Sequence, residues 1–314
     1  MTAALPYLLL FALSLAVLVK ASDWFVGAAE RIGLSLGISP FVVGVTIVAF
    51  GTSLPELAAS VAAVLRGESA IVVNTVVGSN VANILLVMGL VAAFTRRVDL
   101  QLRVVDLEIP LLLAAAFLLA FMLRDRWVST AEAIILLVGL LVFLVHSFRS
   151  EADPDPDAPP APRARPRDYG MLVLGGVLVY FGADYTVRAI QTLSDMAGID
   201  AGLIAVTLVA VGTSLPEIVV SIAAARKGNT GMVVGNVIGS NIFNTYAVVG
   251  IPALIGPLEV SADLLAFRLP FMVAATLLFA FICVSNRIGR WEGLMLLLFY
   301  AYFVVDLVAA TAAG

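Results

Sequence analysis

Apolar runs of about 20 residues, the length that crosses a hydrocarbon layer as a helix, recur along the whole chain. They fall near residues 5–30, 40–65, 70–94, 104–124, 128–148, 169–193, 202–226, 231–256, 265–285 and 291–310. Polar residues collect between these runs or stand singly inside them. The pattern predicts ten transmembrane helices and an all-α membrane protein. One gap differs from the rest. Arg149–Asp168 reads RSEADPDPDAPPAPRARPRD, rich in proline and charge, with too little apolar surface to offset the entropy of ordering. It is expected to be a flexible linker between residues 1–148 and residues 169–314.

Composition agrees with lipid as the solvent. Of 314 residues 61% are apolar and 13% charged, against about 45–50% and about 25% in soluble domains. The basic residues set an orientation. Numbering the gaps in chain order, 13 Lys and Arg lie in odd gaps and 5 in even ones. Odd gaps, the linker among them, should face the cytoplasm, with both termini outside a multi-pass inner (plasma) membrane protein. The N-terminus reads as a first span rather than a cleaved leader. Single Cys283 and His146 leave no disulfide framework and no thiol or imidazole metal site.

The chain repeats itself. VTIVAFGTSLPE at Val45–Glu56 returns as VTLVAVGTSLPE at Val206–Glu217, and GSNVAN at Gly78–Asn83 returns as GSNIFN at Gly239–Asn244. Both pairs are displaced by 161 residues, and 23 of the 46 positions from 44 to 89 recur at that displacement. The register also pairs Asp23 with Asp184, read as orienting groups near helix ends. Five spans per half is an odd number, so the second half enters the membrane from the opposite side. Two inverted-topology five-helix repeats are the architecture expected of a secondary transporter.

The chemistry sits in the repeated motifs. Gly51, Pro55, Gly212 and Pro216 should break their helices at the membrane midplane, freeing carbonyls near Ala49, Thr52, Ala210 and Thr213. Glu56 and Glu217 place carboxylates deep in apolar spans with no Lys or Arg in the central region to pair them. A cation solves both problems. The neighbouring donors are oxygens: Thr52, Ser53, Ser79, Asn83, Thr213, Ser214, Ser240 and Asn244. Such a set suits Ca²⁺, which takes several hard oxygen ligands, and does not suit zinc or copper. Some hydroxyls here could instead bond their own helix, and Asn80 and Asn241 could serve as interhelical bonds.

The doubled GTSLPE and GSNxxN motifs resemble those of the cation/calcium exchanger superfamily, in particular its prokaryotic sodium/calcium exchanger branch. The resemblance implies an alternating-access antiporter in which Ca²⁺ and Na⁺ compete for Glu56 and Glu217. It implies calcium contacts from the backbone oxygens of Thr52 and Thr213. Sodium sites would fall on Ser53, Ser79, Ser214, Ser240 and the carbonyls of Ala49 and Ala210, with Asn83 and Asn244 as the central polar pair. The first and sixth spans would slide past the rest. Asn244 stands where some members carry an acid, which favours potassium-independent exchange. A second departure is Gly235-Asn236, which in the first half is Asn74-Thr75. The acidic signature of proton/calcium exchangers is missing.

Other functions compete less well. A proton/calcium exchanger would use the same glutamates, with H⁺ in place of Na⁺. An intramembrane enzyme would need two different roles for two duplicated carboxylates, and no His or Lys base is near. A channel would need a continuous polar lining. The expectation is therefore a transporter, not an enzyme. Membrane lipid, Ca²⁺ and Na⁺ are its partners; no cofactor and no nucleic acid are expected, and a monomer is compatible with the design.

Overall fold

A computed structural model describes residues 4–95, 97–100, 107–149, 163–196, 212 and 214–313. Most of the linker lies outside the described residues, as do Ala210 and Thr213. Ten helices form among the described residues: α1 Leu5–Ser35, α2 Pro40–Leu65, α3 Ala70–Thr95, α4 Ile109–Met122, α5 Thr130–Arg149, α6 Pro166–Met196, α7 Leu215–Arg226, α8 Thr230–Ile255, α9 Leu264–Cys283 and α10 Arg290–Ala313. Eight are long and apolar enough to cross a membrane. The other two, α4 and α7, are described over 14 and 12 residues.

Helices α1 and α6 are longer than their apolar runs. Each has 31 residues, about 46 Å at 1.5 Å per residue, which exceeds a hydrocarbon thickness of about 30 Å. Lys20, Asp23, Glu30 and Arg31 lie within α1 rather than ending it. The pair packs backbone to backbone. A Cβ added at Gly182 of α6 would lie 2.9 Å from Leu18 Cα, and one at Gly175 3.0 Å from Phe25 Cα. Thr186 donates to Ser14 Oγ at 2.9 Å across the same contact. Arg31 of α1 also pairs with Asp168 in the first turn of α6 at 2.7 Å.

Burial separates an inner group from an outer one. Within their most apolar stretches α2, α3 and α8 are 61%, 78% and 83% buried, whereas α1 and α6 are 22% and 28% buried. The inner helices approach closely because glycine lets them. A Cβ at Gly44 of α2 would lie 2.3 Å from the Met232 carbonyl oxygen of α8. At Gly235 and Gly239 of α8 it would meet the Phe41 and Val45 carbonyl oxygens of α2 at 2.2 and 2.3 Å. This contact puts the two motif-bearing helices against one another.

Two short antiparallel ribbons join the halves. β1 Arg97–Asp99 pairs with β4 Arg287–Gly289, with buried Val98 opposite buried Ile288. β2 Trp127–Val128 pairs with β3 Leu258–Glu259. Strands of two or three residues carry no period to read in the sequence, and none was expected.

Candidate cation-binding site

Four helices supply the site. Ala49, Thr52, Ser53 and Glu56 project from α2, Ser79 and Asn83 from α3, Ser214 and Glu217 from the start of α7, and Ser240 and Asn244 from α8. All of these are buried; Glu56 is 4% exposed and Glu217 1%. Ser53 and Glu56, three positions apart, share a face of α2. Glu217 lies in the first turn of α7, where the positive helix terminus favours a carboxylate.

The geometry brings the halves together. The Glu217 carboxylate lies near the Thr52 and Ser53 hydroxyls and within electrostatic reach of Glu56. Among the described residues, neither carboxylate has a hydrogen-bond partner of ordinary geometry. The same holds for the Ser53 and Ser214 hydroxyls and for both amide atoms of Asn83 and Asn244. Buried polar groups are costly without partners. Here they are concentrated in the two repeated motifs, which fits a hard cation held by oxygens. Predicted members Ala210 and Thr213 fall outside the described residues. Ser79 is buried beside this cluster on α3.

The helix break expected at GTSLPE takes another form in the first half. Helix α2 runs through Pro55 without interruption. Proline removes one bond, to the Gly51 carbonyl, and the surrounding helices hold the rest of the turn. The irregularity lies one turn upstream, as a π turn at Gly44–Val48, where α8 touches the α2 backbone. Two further π turns, Asn83–Val87 and Asn244–Val248, each begin on the last asparagine of GSNxxN and repeat the 161-residue displacement. Such turns widen a helix locally and recur at functional sites.

Several neighbouring residues have clear partners. Asn80 donates to the Asn241 carbonyl at 3.4 Å and to Thr245 Oγ1 at 3.1 Å, so it is an interhelical bond. Asn241 donates to the Val237 carbonyl of its own helix at 2.7 Å. Asp23 and Asp184 do not lie near helix ends, because α1 and α6 extend beyond the apolar runs. Asp184 pairs with Arg188 one turn on, at 2.9 Å. Lys227, in the turn between α7 and α8, donates to the Asp23 carbonyl at 2.6 Å. His146 Nε2 lies 3.7 Å from the buried Glu108 carboxylate, a contact that its place at the end of an apolar run did not suggest. Asn236, noted in the sequence only as a departure from the repeat, accepts from Thr52 and Ser240 and donates to Ser221. Its only sequence signal is that position 75 of the first half is threonine.

A cavity of about 730 Å³ lies elsewhere. It is apolar and backs onto the outer face of α2 at Phe50, Gly51 and Pro55, with Leu172 and Val177 of α6 opposite.

A family profile described as sodium/calcium exchanger protein matches residues 6–149 and 168–308. The chain belongs to the sodium/calcium exchanger family. It is similar to sodium/calcium exchanger MaX1 of Methanosarcina acetivorans, 36% identical over 95% of this chain and 97% of that protein. It is also similar to inner membrane protein YrbG of Escherichia coli, 35% identical over 91% and 92%. Among solved structures it resembles the exchanger NCX_Mj soaked with 100 mM Na⁺ and 10 mM Sr²⁺, with TM-score 0.85 and 30% identity over 96% of this chain and 98% of that one. One of these relatives is named an exchanger and another an inner membrane protein, and with eight helices long and apolar enough to cross a membrane among the described residues this exchanger-family member is a multi-pass membrane protein.

Proposed function

We propose that the protein exchanges Na⁺ for Ca²⁺ across the membrane by alternating access, at a site centred on Glu56 and Glu217. The observation that carries this is the pair of buried carboxylates with no hydrogen-bond partner among the described residues, ringed by hydroxyl and amide oxygens from both repeats. Relatives named as sodium/calcium exchangers support the ion pair Na⁺ and Ca²⁺.

The mechanism follows from electrostatics. Two bare carboxylates in a low-dielectric site repel one another and resist burial. Ca²⁺, or several Na⁺ in its place, neutralises them, and only the neutralised site crosses the barrier between the two faces. Ions that compete for the same oxygens cannot be bound together, so transport of one is tied to transport of the other. Thr52 and Thr213 would supply carbonyls to Ca²⁺. Ser53, Ser79, Ser214, Ser240 and the Ala49 and Ala210 carbonyls would serve Na⁺, with Asn83 and Asn244 between the glutamates. An amide at 244 keeps the site at two carboxylates and needs no potassium. Helices α1 and α6, long, outer and packed on one another, are the moving pair.

Ten spans in two inverted repeats fit the ribbons. β3 and β4 flank α9, a 20-residue span, and so belong to opposite membrane faces. β1 pairs with β4, so β1 and its repeat-equivalent β3 fall on opposite faces. That is the relation inversion requires. With the basic residues concentrated in odd gaps, the linker would be cytoplasmic and the termini outside.

The test is ⁴⁵Ca²⁺ uptake into proteoliposomes loaded with Na⁺, with Glu56→Gln and Glu217→Gln as controls. Uptake that needs the outward sodium gradient and disappears in both variants is expected. Uptake indifferent to sodium but driven by a pH gradient would replace Na⁺ by H⁺ as the counter-ion.

A further inference from the structure

Asn236 breaks the symmetry of the site. Nearly every polar group near the glutamates has an equivalent 161 residues away: Thr52 and Thr213, Ser53 and Ser214, Ser79 and Ser240, Asn83 and Asn244, even Ser60 and Ser221. Asn236 faces a threonine in this register, Thr75. Its side chain is 1% exposed and joins three helices. The Nδ2 donates to Ser221 Oγ of α7 at 3.0 Å, one turn beyond Glu217. Oδ1 accepts from Thr52 Oγ1 of α2 and from Ser240 Oγ of its own α8, both at 3.4 Å. Thr52 shares its proton with the Ala49 carbonyl at 3.3 Å.

The consequence concerns protons. A hydroxyl has one hydrogen to donate and two lone pairs to accept with, and an amide oxygen accepts two bonds. Because Ser221 engages the amide nitrogen, the oxygen faces Thr52 and Ser240. The Ser240 hydrogen points at Asn236 and the Thr52 hydrogen lies between Asn236 and the Ala49 carbonyl, so the lone pairs of both hydroxyls are left for a positive charge. We propose that Asn236 is a positioning residue that fixes the Thr52 and Ser240 hydroxyls as acceptors and thereby sets the sodium affinity of one half of the site. The inference rests on the exchange reading above, in which Ser240 serves Na⁺ while Ca²⁺ relies on the carboxylates and the Thr52 carbonyl.

The experiment measures the half-saturating concentrations of Na⁺ and Ca²⁺ for exchange in proteoliposomes. It compares wild type, Asn236→Ala, Asn236→Thr, Ser240→Ala and the double variant Asn236→Ala/Ser240→Ala. Asn236→Thr imports the residue that the first half carries and guards against a folding defect, checked by size-exclusion elution and melting in detergent. Loss of one oriented hydroxyl should raise the sodium value roughly tenfold in each single variant, the size of one hydrogen bond to a charged partner. Calcium values should change less than about threefold, the margin within which couplings of this kind are resolved. The double variant should fall short of the sum of the two single effects, because the part of the Asn236 effect that runs through Ser240 is already lost, and only the part through Thr52 remains. Additive sodium effects, or sodium and calcium values rising in parallel, overturn the proposal while leaving the exchange reading intact. A wild type that shows no sodium-driven calcium uptake removes both.

Discussion

Gly239→Ala should damage the exchanger where α2 and α8 cross. The new Cβ would lie 2.3 Å from the Val45 carbonyl oxygen, 2.7 Å from Val45 Cα and 2.8 Å from Ala49 Cβ. All three belong to α2, and the first two are backbone atoms that no rotamer change can remove. Reaching even 3.0 Å from the carbonyl oxygen requires α2 and α8 to part by at least about 0.7 Å. Overpacking of this kind costs about 1–3 kcal/mol, and a backbone clash belongs at the upper end. The shift also falls on the site, because Ala49 stands on one side of the contact and Ser240 on the other. Calcium–oxygen distances tolerate a window of about 2.3–2.6 Å, narrower than the displacement. Calcium should therefore bind at least about tenfold more weakly, equivalent to about 1.4 kcal/mol. The assay is melting in detergent together with calcium-dependent exchange in proteoliposomes. Gly176→Ala is the control, since its Cβ would meet only the Phe25 ring at 3.5 Å. A Gly239→Ala protein with wild-type melting and wild-type calcium affinity would refute the close-packed crossing.

Other outcomes follow from the same contacts. Glu56→Gln and Glu217→Gln should raise the melting temperature in ion-free buffer, since each removes a buried charge that repels the other, and should lose the added stability that Ca²⁺ gives wild type; melting curves with and without Ca²⁺ report both. Asn80→Leu, which leaves Thr245 and the Asn241 carbonyl without their donor, should cost about 1–3 kcal/mol with little change in exchange affinity, measured by chemical unfolding and uptake. Burial against α1 pushes Lys227 below the ordinary lysine range, the Asp23 and Glu30 charges opposing the shift. Its ammonium is held below that lowered value and is lost as pH rises through it. The bond to Asp23 should thus weaken at an alkaline pH where an exposed lysine is still charged, and Lys227→Met should flatten the pH profile of exchange in that range.

The inner site was legible because its chemistry is duplicated. GTSLPE and GSNxxN mark the same positions twice, so Glu56, Glu217, Ser240 and Asn244 emerge from spacing alone. The family match to residues 6–149 and 168–308 accords with the family resemblance that those motifs carry. What escaped has no pattern of its own. The π turns leave no compositional trace; the first lies where α8 approaches Gly44, and the other two start at Asn83 and Asn244. Comparison of the repeats marked Asn236 as an exception, but its role depends on Ser221 and Thr52, which only the packing brings to it. The lengths of α1 and α6 were underestimated because the runs were taken to stop at 30 and to cover only 169–193, whereas the helices continue through Arg31 to Ser35 and from Pro166 to Met196. The strands were invisible because a pairing of two or three residues is decided by what lies opposite.

Those ribbons carry a consequence for biogenesis. Among the described residues β1 and β2 pair with β4 and β3, so the first half leaves synthesis with two strand edges whose partners lie in the second. The β2 edge is covered only once Glu259 has emerged, and the β1 edge only once Gly289 has. Maturation must therefore wait for the last third of the chain, and truncations before Gly289 should be cleared by proteolysis rather than accumulate as a folded half. Conversely, the two halves made as separate polypeptides, divided within 150–162, carry matching edges. They should assemble with one another when produced together, each half completing the other at both ends of the molecule.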